Sequence, residues 1–213
     1  MNCIKLTILS VFIIATTALF AQDFEGIVEF RRINYYDTTN YTYHISPKQV
    51  KIDEYNDDGK IMGTMLVNLE TKKVLAINHA RKLYMNIESK PSVKDLSNSK
   101  IVKTQQTKKV LGYNCVKWTV DNPDYKSKAE YWVVKESDFS FFKRLLTALN
   151  RKDKVALYFM QIPQNAGFFP IIGEEKGHDG KLRARLETKK VIQKKISSST
   201  FDIPAGYEEF KNK

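Results

Sequence analysis

The sequence holds three histidines, His44, His79 and His178. A metal site needs several His, Cys or carboxylate side chains at short, regular spacings, so that one turn or strand presents them together. None of the three has such a neighbour, and each reads as a surface or turn residue. The acid pairs Asp57-Asp58 and Glu174-Glu175 sit in apparent turns. Catalytic carboxylates work at a defined separation in space, which adjacency in sequence does not supply. No Gly-x-Ser-x-Gly elbow, phosphate-binding glycine loop or dinucleotide fingerprint occurs. The residue types therefore name no catalytic residue, no metal and no cofactor, and the chain is expected not to be an enzyme.

Aromatic and basic residues carry the remaining signal. Tyr113, Trp118, Tyr131, Trp132, Phe139 and Phe142 are candidate walls of a ligand cavity. The same residue types also build ordinary cores, and only an unfilled volume separates the two readings. Phe168, Phe169, Ile171 and Ile172 lie in a stretch punctuated by Pro163, Gly167, Pro170 and Gly173. That stretch reads either as a loop packed back over the sheet or as an exposed apolar tip that touches a membrane or an acylated partner. The net charge is +11, with basic residues spread along the whole chain. Such a surface favours solubility and attraction to an anionic membrane surface. Nucleic acid is not expected as a partner, because no binding motif accompanies the charge.

The elements that position these residues are mostly strands. Phe24, Gly26, Val28 and Phe30 alternate with Glu25, Glu29 and Arg31. Period-two alternation of this kind marks strands with one covered face. It recurs over 41–45, 50–53, 61–69, 74–77, 83–87, 101–107, 113–120, 128–135 and 182–196, with short turns between most of them. In 128–135, Tyr131 and Val133 face opposite Trp132 and Val134, which predicts cover on both sides. Helical spacing replaces alternation at Phe139, Phe142, Leu146 and Leu149, which predicts one helical insert over about 137–150. Ser137 serves as its N-cap and Asn150 as its stop. The apolar run Val155–Met160 fits either a strand or a helix. The fold class is thus mainly β (α+β): a curled antiparallel sheet or open half-barrel of about ten strands.

The start of the chain places this domain outside the cytoplasm. Lys5 precedes an apolar run from Leu6 to Phe20, and small and polar residues follow. That order is a secretory signal, with cleavage expected after Ala21 and a single β-rich domain over 22–213. Lys5 is the only charge in the signal, so the remainder carries +10. It keeps one cysteine, Cys115, which excludes an internal disulfide and reads as a buried small hydrophobe. A soluble periplasmic or secreted protein is expected, its oligomeric state left open.

Four segments carry a family resemblance: Phe24-Glu25-Gly26-Ile27-Val28-Glu29-Phe30, Thr107 to Trp118 with Leu111-Gly112-Tyr113-Asn114-Cys115 inside it, Glu130-Tyr131-Trp132-Val133, and Phe201-Asp202-Ile203-Pro204-Ala205-Gly206-Tyr207. Together they resemble exported Gram-negative envelope proteins carrying the domain of unknown function 4412. The resemblance implies an open half-barrel similar to that of lipoprotein-sorting carriers, whose apolar concave face shelters acyl chains beneath helices. It implies binding and carriage of an acyl chain, lipid or lipoprotein. The alternative is a structural or partner-binding envelope protein with a filled core, and an envelope hydrolase ranks last.

Overall fold

The computed structural model describes residues 23–88, 96–135, 137–150 and 153–211. The export signal read over 1–21 lies outside them, as do Arg151, Lys152 and residues 89–95 of the polar loop. Among the described residues no helix is long and apolar enough to cross a membrane.

Six strands come first: β1 (Gly26–Asn34), β2 (Thr38–Ile45), β3 (Gln49–Tyr55), β4 (Ile61–Asn68), β5 (Val74–Asn78) and β6 (Leu83–Ile87). Three more follow, β7 (Lys100–Val110), β8 (Tyr113–Asn122) and β9 (Ser127–Lys135). Two helices, α1 (Phe141–Leu149) and α2 (Lys154–Gln161), lead into β10 (Phe168–Gly177), β11 (Leu182–Gln193) and the short β12 (Glu208–Glu209). All twelve strands join one sheet in the order β12-β6-β5-β4-β3-β2-β1-β11-β10-β9-β8-β7. Two antiparallel meanders are thus zipped together where β1 meets β11. The end strands β12 and β7 do not pair with each other, so the sheet is open.

The alternation of β1 works as the sequence predicts. Gly26, Val28 and Phe30 are buried, and the residues between them are half-exposed. The buried face is covered by α1, which lies against β4 and β10, and by α2, which lies against β8 to β11. At the centre Phe169 meets Phe139, Phe142, Phe30 and Phe141 at ring distances of 4.9, 5.2, 5.7 and 6.0 Å. Aromatic pairs at these separations each add about 0.5–1.5 kcal/mol beyond area burial.

Two expectations change in detail. The insert begins with a 3-10 turn at Ser137, and the α-helix proper starts at Phe141. Asn150 ends it in the left-handed conformation, as its residue type favours. The run 155–160 resolves as helix α2, because the Asp153 carboxylate accepts the Ala156 N–H and supplies an N-cap.

The segment Phe168 to Ile172 is neither a loop nor an exposed tip. It opens β10, paired between β9 and β11, with Phe168, Phe169 and Ile171 buried and Ile172 half-buried. Pro170 sits at a register shift, one of the few sheet positions that tolerates a missing N–H. Gly173 is needed in the same strand, since a Cβ there would lie 3.0 Å from the Tyr131 ring and 3.3 Å from Val155. Exposed aromatic surface lies instead at the β1–β2 turn, where Tyr35 and Tyr36 are 71% and 93% exposed.

Candidate functional site

A small cavity opens between the helices and the inner face of the sheet. Its helical wall is Phe142, Leu145, Leu146 and Leu149 of α1, with Val155 and Ala156 of α2. Its floor includes Tyr43, Tyr131, Pro170, Ala184 and Leu186. Asp153 and Arg32 are the charged residues at its edge, joined by Arg185. The volume is about 40 Å³, enough for a few waters and far below the ~300 Å³ at which small-molecule pockets begin. In this conformation the cavity is closed to any sizeable ligand.

The two helices that frame it are fixed differently. Tyr131 donates its hydroxyl proton to the Val155 carbonyl at 2.6 Å. The Tyr158 hydroxyl bonds Ser127 Oγ at 2.8 Å, with both residues fully buried. Lys154 reaches Glu175 at 3.7 Å and Ser127 at 3.4 Å. Asn165 donates back to the Phe159 carbonyl at 3.2 Å. Helix α2 is therefore bolted to β9 and β10 through polar groups. Helix α1 is tied by polar groups near its start, where Ser140 Oγ and the Arg144 guanidinium reach Asp23 at 2.6 and 3.0 Å. Arg144 also donates to the Pro47 carbonyl at 3.0 Å. From Leu145 to Leu149 its grip on the sheet is apolar, as Thr147 bonds within its own helix.

The six residues expected to line a cavity divide. Tyr131 and Phe142 do line it. Phe139 is core, stacked between Phe24 at 5.1 Å and Phe169 at 4.9 Å. Tyr113 sets its ring edge-on to Phe139 at 5.8 Å, and Trp118 lies 6.0 Å from Phe168, both away from the cavity. Trp132 is not a wall: it lies on the outer face, with Lys108 Nζ 4.1 Å and Lys117 Nζ 5.9 Å from its ring. Lysine side chains supply the cover that the apolar pattern of β9 led one to expect.

Several lining residues were missed, although their signal was present. Ala184 and Leu186 are the apolar phase of β11. Arg32 continues the inward phase of Val28 and Phe30, so it is a charge where the pattern calls for an apolar residue.

Opposite the helices, the outer face is a lattice of ion pairs. Lys117 and Lys128 both meet Glu130 at 2.8 Å. Burial alone would raise the Glu130 carboxyl, but these two lysines outweigh it and hold the pKa at about 2. Burial likewise opposes Arg31, Lys189 and Arg185 at Glu187, and the cations win, lowering its pKa. On the inner face the balance reverses. Burial pushes the Glu175 carboxyl above the ordinary range despite Lys154 and Arg183. Burial also raises the Cys115 thiol, against nearby Lys108, which leaves it a buried hydrophobe.

A buried polar chain on the same outer side accounts for two histidines and the closing motif. Asp53 accepts from the Thr64 hydroxyl, and Thr64 Oγ1 lies 2.8 Å from His79 Nε2. His79 Nδ1 is 3.0 Å from the Tyr207 hydroxyl, which ties the C-terminal segment to the sheet. Burial would raise the Asp53 carboxyl, but His44, Thr64 and Lys51 together lower it. Thr64 gives its one proton to Asp53, so a neutral His79 donates from Nε2 and accepts from Tyr207. His79 is thus not placed as a base toward Thr64, and the chain is a structural tie rather than a nucleophile–base pair. His178 pairs with Asp121 at 2.8 Å in an exposed turn. Among the described residues no three His, Cys, Asp or Glu converge as metal ligands.

The fold and the cavity define a class: an open, curled antiparallel sheet whose concave face is covered by two helices. The family described as Domain of unknown function (DUF4412) matches residues 24–207, and the chain belongs to it. No curated protein matches by sequence. Among solved structures, an uncharacterized conserved protein from Thermus thermophilus is similar, with 8% identity, 91% of this chain and 92% of that one covered, and a TM-score of 0.55. The complex structure of Pseudomonas aeruginosa MucA/MucB is also similar, at 10% identity, with 84% of this chain covered and a TM-score of 0.53. This chain covers 55% of that one. A lipoprotein-sorting protein domain from Vibrio parahaemolyticus aligns over 83% of this chain and 88% of its own at 10% identity, with a TM-score of 0.33, too slight a likeness to argue from. Identities this low establish the fold alone.

Proposed function

We propose that this protein is a non-enzymatic binding protein of the cell envelope, exported and soluble after signal cleavage, that shelters an apolar chain between α1 and the concave face of the sheet. The observation that carries this reading is the unequal attachment of the two helices around one apolar cavity. The second half of α1 rests on Leu145, Leu146 and Leu149, while α2 is held by buried hydrogen bonds.

Energetics favour an exchange of one apolar occupant for another. Lifting three leucines re-exposes up to ~1.5–3 kcal/mol of burial each, and less for the half-buried Leu146 and Leu149. A chain of about ten methylenes seated in their place contributes ~8 kcal/mol, at ~0.8 kcal/mol per methylene. The cavity of about 40 Å³ is then the closed state of the site.

That small volume also favours a second reading, a partner-binding envelope protein whose core is already full. Native mass spectrometry separates the two. Protein purified gently from its own envelope is expected to carry a stoichiometric acyl-containing species that denaturation releases. An unliganded mass that persists after incubation with envelope lipids would rule out the carrier and leave the partner-binding reading.

A further inference from the structure

The apolar walls of the cavity do not explain its charge. Arg32 lines it as the inward residue of β1 beyond Phe30, directly across from Leu186 in β11. Its Nε donates to Asn34 Oδ1 at 3.2 Å, and among the described residues its guanidinium meets no carboxylate. Its neighbours are committed: Arg31 bonds Glu187 at 2.8 Å, and Arg185 bonds Glu174. The one acid of the cavity, Asp153, accepts the Ala156 N–H at 3.0 Å at the start of α2, where the helix dipole offsets its charge. An unpaired, half-buried cation facing an apolar cavity costs desolvation free energy that a ligand anion would recover.

We propose that the ligand is a single-chain amphiphile with an oxyanion head, a carboxylate or phosphate monoester, held by the Arg32 guanidinium at the mouth while its chain runs beneath α1. The inference rests on the carrier reading above and adds the chemistry of the head. The two terminal amino groups of Arg32 form a planar fork that matches either oxyanion, and a lysine ammonium does so less well. Leu186, directly across from Arg32, and Ala184 line the cavity beside the guanidinium, so a head held there sets its chain against apolar floor.

Titration calorimetry of the purified protein with dodecanoate, dodecyl phosphate, dodecanol and dodecyltrimethylammonium tests this. The two anions are expected to bind about tenfold or more tighter than dodecanol, with the ammonium weakest. Arg32→Gln should erase the anion preference, with an unchanged urea midpoint showing that the variant is folded. Arg32→Lys should keep part of the preference. Whichever anion binds more tightly names the head. Equal binding of dodecanol and the anions, or a preference that survives in Arg32→Gln, overturns the assignment of the head while leaving the carrier reading intact. If none of the four binds, the carrier reading itself falls and this inference falls with it.

Discussion

Helices α1 and α2 cover neighbouring parts of one sheet face, and different forces hold them there. Helix α2 is fixed by the Tyr131, Tyr158, Lys154 and Asn165 bonds. Helix α1 is fixed at its start by Arg144 and Ser140, and over its second half it meets the sheet through apolar side chains such as Leu145 and Ala148. Hydrogen bonds are directional and break at once, whereas apolar contact can be handed to another apolar surface. A cover that must open for a greasy ligand is therefore better built like α1, and a wall that must stay in place is better built like α2.

The largest effect should come from removing the ground on which α1 rests. Phe169→Ala deletes the ring that Phe139, Phe141 and Phe142 share, and should cost about 3–5 kcal/mol in urea unfolding. Leu145→Ala should cost about 2–4 kcal/mol and speed amide exchange in α1 more than in α2. Equal acceleration of both helices would break the comparison. Tyr158→Phe sharpens it from the other side. It removes the 2.8 Å bond that ties Tyr158 to Ser127 and leaves Ser127 its longer Lys154 contact, so it should cost about 1 kcal/mol and bring exchange in α2 closer to that of α1.

The smallest effects concern charge, and they have opposite signs on the two faces of the sheet. Glu130 has its pKa lowered from 4.5 to about 2, so its stabilising contribution is present above 4.5 and is lost as the pH falls toward 2. Glu130→Gln should cost about 1 kcal/mol at neutral pH, and that cost should shrink as the pH falls from 4.5 through about 2. Glu175 has a raised pKa, so its burial penalty applies above that value and is relieved as the pH falls toward 4.5. Glu175→Gln should abolish that relief. Denaturant midpoints measured across the pH range would show both slopes, and a shared sign would contradict the contrast between the faces.

Much of the fold was legible because the sheet is covered on one side. A solvated outer face forces period-two alternation, as at Val28, Phe30 and their neighbours, and this located ten of the twelve strands. Strand β10 hid because Phe168, Phe169, Pro170 and Ile171 are all buried in succession and a register shift at Pro170 breaks the period. Strand β12 hid because two residues held by backbone bonds have no pattern to read. The site was less legible. Aromatic type alone selected Trp132, although its alternation with Tyr131 and Val133 turns it outward. Arg32 was visible as a charge in an apolar phase, but the neighbours that turn it into a cavity residue come from strands and helices far away in sequence.

The most direct measurement is hydrogen–deuterium exchange of the purified protein with and without dodecanoate, resolved to the amides of 145–149 and 155–160. Without ligand the α1 amides should exchange through local opening, well before those of α2, and ligand should change protection in α1 while α2 stays constant. If both helices exchange only with global unfolding, or if α2 opens first, α1 does not act as the cover of this site.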